Sequence, residues 1–427
     1  MPRISLGLGD GDPERCRALA NGEVGLPGPA VTVGQRVQFL RERRGMTRAV
    51  FAGLVGKSES WVKAIEKGRL QVPRLPVLIQ MAEVLRVRNL ADLTGDQSMP
   101  IQMFTGPGHP ALPAVREAMN AYPLWPAGPL PSVAHLRLRL ARAWRARHAS
   151  PDHRTVLGGL LPDLIKDAQV LARFGADRQA AHALLAEVLN LSQMFLAYQP
   201  DVSLLWRAAE RAMLAAQESE VPEAVAGSVW FMAQAHRDAG DFDAAHEING
   251  QCLEYLNPFV PDGGVDLLAW WGALQFEMAY TEARAGDRGV AWSHWDEAER
   301  IAVRLPVGYY HPVTSFSRVI MGAHAVTVAV ELRQAAESVR QAGQMTPAAI
   351  PSRPRRGRHL IEVARAYRLR NDLDASLATL SEAFDAAPET IRFNGYARRI
   401  ILEVLNEGPL DLRSPAAELA AKIDLYV

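Results

Sequence analysis

The stretch MTRAVFAGLVGKSESWVKAIEKG, residues 46–68, constrains this chain more than any other. Phe51, Ala52 and Val55 recur at helical spacing after Thr47, whose hydroxyl suits an N-cap, and Gly56 stops that helix where a left-handed residue costs least. Ser58 then caps a second helix, Val62 and Ile65 give it an inner face, and Gly68 ends it. Glu59, Ser60 and Lys63 are left on the outward side. Ala52 falls where the two helices must cross, and a larger side chain there would push them apart. Two short helices in this arrangement form a helix-turn-helix, whose second helix fits a DNA major groove.

The flanks extend the unit. Val33, Val37 and Leu40 make one face of a preceding helix; Leu78, Met81, Ala82 and Leu85 make one face of a following helix; and NLADLTG supplies a closing turn. On these residues, from about 33 to 95, the chain resembles the DNA-binding domain of the lambda repressor and Cro superfamily, also called the XRE family. The resemblance implies a small five-helix domain bound to a double-stranded DNA operator. Glu59, Ser60 and Lys63 would face base edges, Lys67 would meet the phosphate backbone, and Thr47, Lys57, Ser58 and Arg69 complete the DNA-binding candidates. Arg48 stands where that family usually carries Gln, so its expected contact is a phosphate or a flanking base. The alternative is a domain of the same shape kept for protein docking.

Charge supports the DNA reading once it is divided. The chain carries 47 Lys/Arg and 47 Asp/Glu, for a net of +0. Residues 31–95 hold 12 and 5, a net of +7, leaving 35 and 42 for the rest, a net of −7. A basic module on an acidic body attracts phosphates locally while the body avoids indiscriminate binding.

Residues 1–30 are rich in Gly and Pro with no apolar period, and read as a mobile tail. Residues 96–131 read as a linker, because eight prolines fall between positions 100 and 131 and the apolar residues look too scattered for a regular element. Residues 132–427 read as helical and repetitive. LIEVARAYRLRNDLDASLATLSEAFDAAP, residues 360–388, sets Ala364, Tyr367, Ala383 and Pro388 at the small, aromatic, small and terminating positions of a tetratricopeptide repeat. Ala233, Gly240, Ala245 and Cys252 share that frame, as do Ala279, Gly286, Ala291, Trp295 and Ala298. Looser pairs are expected at about 132–174, 182–217 and 312–343. The fold class is therefore all-α, a five-helix reader followed by a tetratricopeptide-like right-handed α-solenoid in which each repeat touches only its neighbours.

Small residues in that frame are packing. The concave face would present Asn190, Met194, Trp230, Gln234, Arg237, Phe276, Tyr280, Arg365 and Arg368, a set of amides, rings and guanidinium groups suited to a peptide or small-molecule effector. The basic string SRPRRGRH, residues 352–359, reads as a solvated turn. HRTVLGGLLPDLIKDAQVLARFG and the following LLAEVLNLSQMFLAYQP resemble actinobacterial regulators that join this type of reader to a tetratricopeptide-like domain; the wider group includes peptide-sensing quorum regulators. That resemblance implies effector sensing and a homodimer held by the helical domain. The competing expectation is a docking scaffold.

Catalytic and metal chemistry find no support. Eleven histidines form no HExxH pair and no Gly-rich phosphate loop occurs, so neither an enzyme nor a cofactor is expected. Cys16 and Cys252 lie too far apart to suggest a disulfide framework or zinc site. With no signal-like N-terminus and no membrane-length apolar run, the expected location is the cytoplasm.

Overall fold

The computed structural model describes residues 32–70, 72–73, 75–85, 87, 93–94, 108–126 and 128–425. The tail expected at residues 1–30, the first part of the linker and most of NLADLTG lie outside the described residues. Every regular element among those described is helical. The chain divides into two compact units, Met1–Gly68 with Leu78–Met99, and Arg69–Val77 with Pro100–Val427.

In the first unit the helices are α1 (Val33–Arg43), α2 (Arg48–Leu54), α3 (Glu59–Glu66) and α4 (Leu75–Val84). Thr32 opens α1 with a capping box: Gln35 N donates to its hydroxyl at 3.3 Å, while its own N–H donates to Gln35 Oε1 at 2.9 Å. Thr47 and Ser58 cap α2 and α3, each accepting a backbone N–H three residues on at 3.2 Å. Both α1 and α2 pack on α3. Val37, Phe51, Val62, Met81 and Leu85 are completely buried.

The second unit begins with α5 (Leu112–Asn120), inside the segment expected to be a linker. Leu112, Val115 and Met119 belong to the main apolar core of this unit. Their spacing is helical, and Pro113 suits a first turn, so the prolines here punctuate a helix rather than prevent one. Beyond it, helices pair in sequence: α6 (Val133–Ala149) with α7 (His153–Phe174), α8 (Arg178–Leu196) with α9 (Val202–Ser219), α10 (Pro222–Ala239) with α11 (Phe242–Leu256), α12 (Gly264–Ala285) with α13 (Arg288–Arg304), α14 (Ile320–Glu331) with α15 (Ala335–Ala342), and α16 (Arg353–Leu369) with α17 (Leu373–Ala386). The short α18 (Pro388–Arg392) leads to the last pair, α19 (Gly395–Glu407) and α20 (Leu410–Lys422).

The repeat frame has a local cause. Gly240, Gly286 and Asn371 sit at the ends of α10, α12 and α16 with φ of 80°, 90° and 61°, left-handed conformations that Gly and Asn adopt at least cost. The next residue is Asp each time, and Asp241, Asp287 and Asp372 each cap the following helix. A two-residue turn thus stops one helix and starts the next. Ala233, Ala279 and Ala364 are completely buried where neighbouring helices approach.

The inner layer is formed by α6, α8, α10, α12, α14 and α16, each packed on the next in this series, and α16 packs back on α6. The expected neighbours-only contact pattern therefore does not hold. Glu389 of α18 accepts from Arg154 N at 2.5 Å and from Thr155 N at 3.2 Å, capping α7 in place of Asp152, whose side chain makes no cap. His148 bonds Ser352 Oγ at 2.8 Å, and Arg358 donates to Tyr198 Oη at 3.1 Å. What the sequence presents as an open concave face is enclosed by these contacts. The string SRPRRGRH is accordingly not a solvated turn: it opens α16, with Pro354 in the first turn, Arg355 donating to Thr314 O and Arg358 to Tyr280 of α12.

Candidate nucleic-acid interface and interior cavity

The DNA-facing candidates stand on α3 and its flanks. Glu59, Ser60, Lys63, Lys67 and Arg69 are exposed, and Lys57 is half-buried. Trp61, Val62 and Ile65 face inward. The hydroxyls of Thr47 and Ser58 are committed to their caps, and Ser58 Oγ also lies 2.9 Å from Ser60 Oγ. The helix therefore presents one carboxylate, one hydroxyl and one ammonium on a single face, with two more cations just beyond its end.

Arg48 is placed differently from the expectation. Its Nε donates to Glu66 Oε2 at 2.6 Å, and the other carboxylate oxygen of this fully buried Glu66 accepts from Arg41 Nε at 2.5 Å. Glu66 therefore ties α1 and α2 to α3 and fixes the angle at which α3 is offered. Ala52 is buried, and a further close helix approach lies at Gly34. A Cβ on Gly34 would lie 2.2 Å from Ile65 O and 2.9 Å from Glu66 O, so only glycine lets α1 cross the end of α3 at this distance.

In the second unit a cavity of about 70 Å³ lies among α10, α12, α14 and α16. Trp230, Gln234, Arg237, Phe276 and Tyr280, all expected to meet a ligand, line it. Thr314, His324, Arg355 and Arg358, which sequence reasoning missed, complete much of the wall. Four other expected residues stand outside this lining and are engaged with protein groups. Asn190 bonds Ser228 and Gln193, each at 3.2 Å; the Met194 sulfur accepts from Arg147; Arg365 bonds Glu331 and Glu362; and Arg368 makes an exposed bidentate pair with Glu403 at 2.9 Å. A larger open groove of about 660 Å³, flanked by Trp292 and Trp295, contains none of the expected ligand residues.

Charge in this interior is dense. Arg237 pairs with Glu277 and lies 4.0 Å over the Tyr280 ring. Glu331 is held by Arg365 at 2.9 Å and Arg284 at 3.5 Å. Burial alone would raise the Glu331 carboxyl, but the Coulombic attraction of Arg365 and Arg284 outweighs it and holds the group down at about 2. Burial keeps His324 neutral, pushing it well below its ordinary value, and its ring stacks on Phe276 at 3.4 Å. The Tyr280 hydroxyl is pushed up to about 12 by burial, so it stays protonated while accepting from Arg358 at 3.1 Å.

Comparison with known proteins adds one firm point. Residues 32–93 match the helix-turn-helix domain family. The chain thus carries a helix-turn-helix domain at its described N-terminal end. No curated protein matches the chain. Among solved structures, BtubC (BKLC) from P. vanneervenii is 15% identical with a TM-score of 0.34, covering 60% of this chain and 91% of its own. PlcR from Bacillus thuringiensis, solved in complex with the peptide PapR7 and DNA, is 11% identical with a TM-score of 0.30, covering 82% and 99%. Likeness at these TM-scores says nothing of what this chain does. Among the described residues no helix is long and apolar enough to cross a membrane.

Proposed function

We propose that this protein is a sequence-specific DNA-binding transcriptional regulator of the cytoplasm whose helical domain forms a homodimer and binds a peptide or small-molecule effector. The observation that carries the DNA reading is the exposed face of α3, with Glu59, Ser60 and Lys63 outward and Lys67 and Arg69 following, inside a matched helix-turn-helix domain. A helix of this size reaches only a few base pairs, so two copies on half-sites about one helical turn apart supply the specificity. The cavity among α10, α12, α14 and α16 supports the sensing role. An effector changes operator affinity only by binding two arrangements of the protein unequally, and a coupling of about 1 to 3 kcal/mol corresponds to about 5- to 150-fold.

Selection of duplexes from a random pool by the purified full-length protein tests the central claim. A recovered motif with two related half-sites is the expected result. Recovery of no motif, with only salt-dependent binding to any duplex, would favour the docking-scaffold reading instead. Light scattering of the full chain across a concentration series tests the dimer.

A further inference from the structure

The interior of the helical domain holds more guanidinium than carboxylate. Glu277 is taken by Arg237, Glu331 by Arg284 and Arg365, and Glu362 by Arg358 and Arg365. Arg355 has no share in this pairing. It donates to Thr314 O at 2.9 Å, its Nε has no hydrogen-bond partner, and its guanidinium lies 5.7 Å from the Trp230 ring. Arg147, 6% exposed, is also without a carboxylate; its bonds go to the Met194 sulfur and to His148, which burial keeps neutral. Burial, reinforced by the charge of Arg355, pushes Arg147 down to about 9. Desolvated cations without a counter-charge are unfavourable, and no carboxylate among the described residues pairs with either of these two.

The cavity wall repeats that imbalance in the space a ligand would use. Arg237, Arg355 and Arg358 bring three positive charges, against the single carboxylate of Glu277. Trp230 lines it too, 4% exposed, and its indole N–H has no hydrogen-bond partner. The wall thus has donors left over, on a cation and on an indole. At about 70 Å³ the space exceeds one water's share of about 30 Å³ and suits a group of a few heavy atoms.

We propose that this cavity binds the oxyanion head group, a carboxylate or a phosphate, of the effector, with Arg355 as its principal charge partner and the Trp230 indole as a further donor. The assignment rests on the effector-sensing reading. An oxyanion supplies the acceptor oxygens that Arg355 Nε and the Trp230 indole lack, and its charge offsets the surplus shared with Arg147. The rest of the ligand lies outside so small a space.

Thermal unfolding of the full-length protein at fixed ionic strength provides the test. One arm titrates inorganic phosphate, a second acetylglycine, which presents a peptide-like terminal carboxylate, and a third adds matched chloride. A saturable rise in Tm in the phosphate or acetylglycine arm, absent with chloride, is expected, and the arm that saturates at lower concentration identifies the head group. Arg355→Met should weaken that saturation by about tenfold or more, as loss of a charge-assisted bond requires. Should that variant fail to fold, Trp230→Phe retains the ring, removes the N–H and should weaken saturation severalfold. No saturation in either arm, an equal rise with chloride, or unchanged saturation in the folded variants would overturn the proposal. Operator binding separates the two readings. Saturating anion that leaves operator affinity unchanged removes the sensing role and leaves the site, whereas an extract-derived effector that shifts operator affinity without any oxyanion binding removes the site and leaves the sensing role.

Discussion

In the N-terminal unit Lys63 and Lys67 stand in water, whereas in the helical unit Arg147, Arg154, Arg237 and Arg365 are each at most 6% exposed. The same two residue types therefore serve opposite ends. A solvated cation keeps its charge available and loses little when a phosphate replaces its water. An enclosed one has already given up its water and must be repaid by carboxylates, rings and carbonyls. The first arrangement tolerates substitution in the free protein and shows its worth on DNA; the second is felt in the fold itself.

Removing a counter-charge should break that comparison most sharply. Glu331→Gln leaves Arg284 and Arg365 without their shared carboxylate, at an expected cost of about 3 to 5 kcal/mol in chemical denaturation. The carboxyl also gives a pH signature. Its folded value of about 2 lies below the ordinary 4.5, so its contribution is fully present above about 4.5 and is lost as pH falls towards 2; the Gln variant should show a flatter acid limb. Gly34→Ala is expected to cost up to about 3 kcal/mol, because the clash at 2.2 Å is with backbone that cannot swing aside, and to abolish operator binding with it. Hydrogen exchange of α1 and α3 amides would report the loss.

On the solvated side, Lys63→Ala should leave stability nearly unchanged and cost roughly 1 to 3 kcal/mol on the selected operator, relaxing one base position. Lys67→Ala should weaken all duplexes alike and flatten the salt slope by about one. Equal losses on operator and random DNA for Lys63→Ala would place it on the backbone instead. The smallest effect is predicted for Arg368→Ala. Its pair with Glu403 is exposed and should contribute under about 1 kcal/mol, although Arg365, three residues earlier, is fully enclosed.

Legibility followed the range of the interactions. The reader motif was visible because its caps, its turn and its inner face are all settled within a few residues of Thr47, Ser58 and Gly56. The repeat frame was visible for the same reason, through Gly240, Gly286, Asn371 and the aspartates after them. Five residues of the cavity wall, Trp230, Gln234, Arg237, Phe276 and Tyr280, could be read from helical register. Arg355 and Arg358 could not, because four arginines in eight residues look solvated until Thr314, Trp230 and Tyr198 are brought in from elsewhere in the fold. Glu66 and Glu331 were overlooked on the same ground: a carboxylate in a helix reads as an outer face. A local hint was Glu362, placed four residues after Arg358 and three before Arg365.

The contact of Glu389 with the start of α7 spans 235 residues of chain. A linear stack of repeats can fray from either end and nucleate anywhere, since every interface is local. Once the two ends of the inner layer are joined, fraying at one end costs contacts at the other, and the array should melt as a unit. Assembly pays in turn, because a loop of that length must close before the contact returns any energy. During synthesis the α7 N-terminus emerges long before its capping carboxylate exists, so α6 and α7 spend most of translation with those amides waiting, and truncation before residue 389 should loosen the beginning of the domain as well as its end.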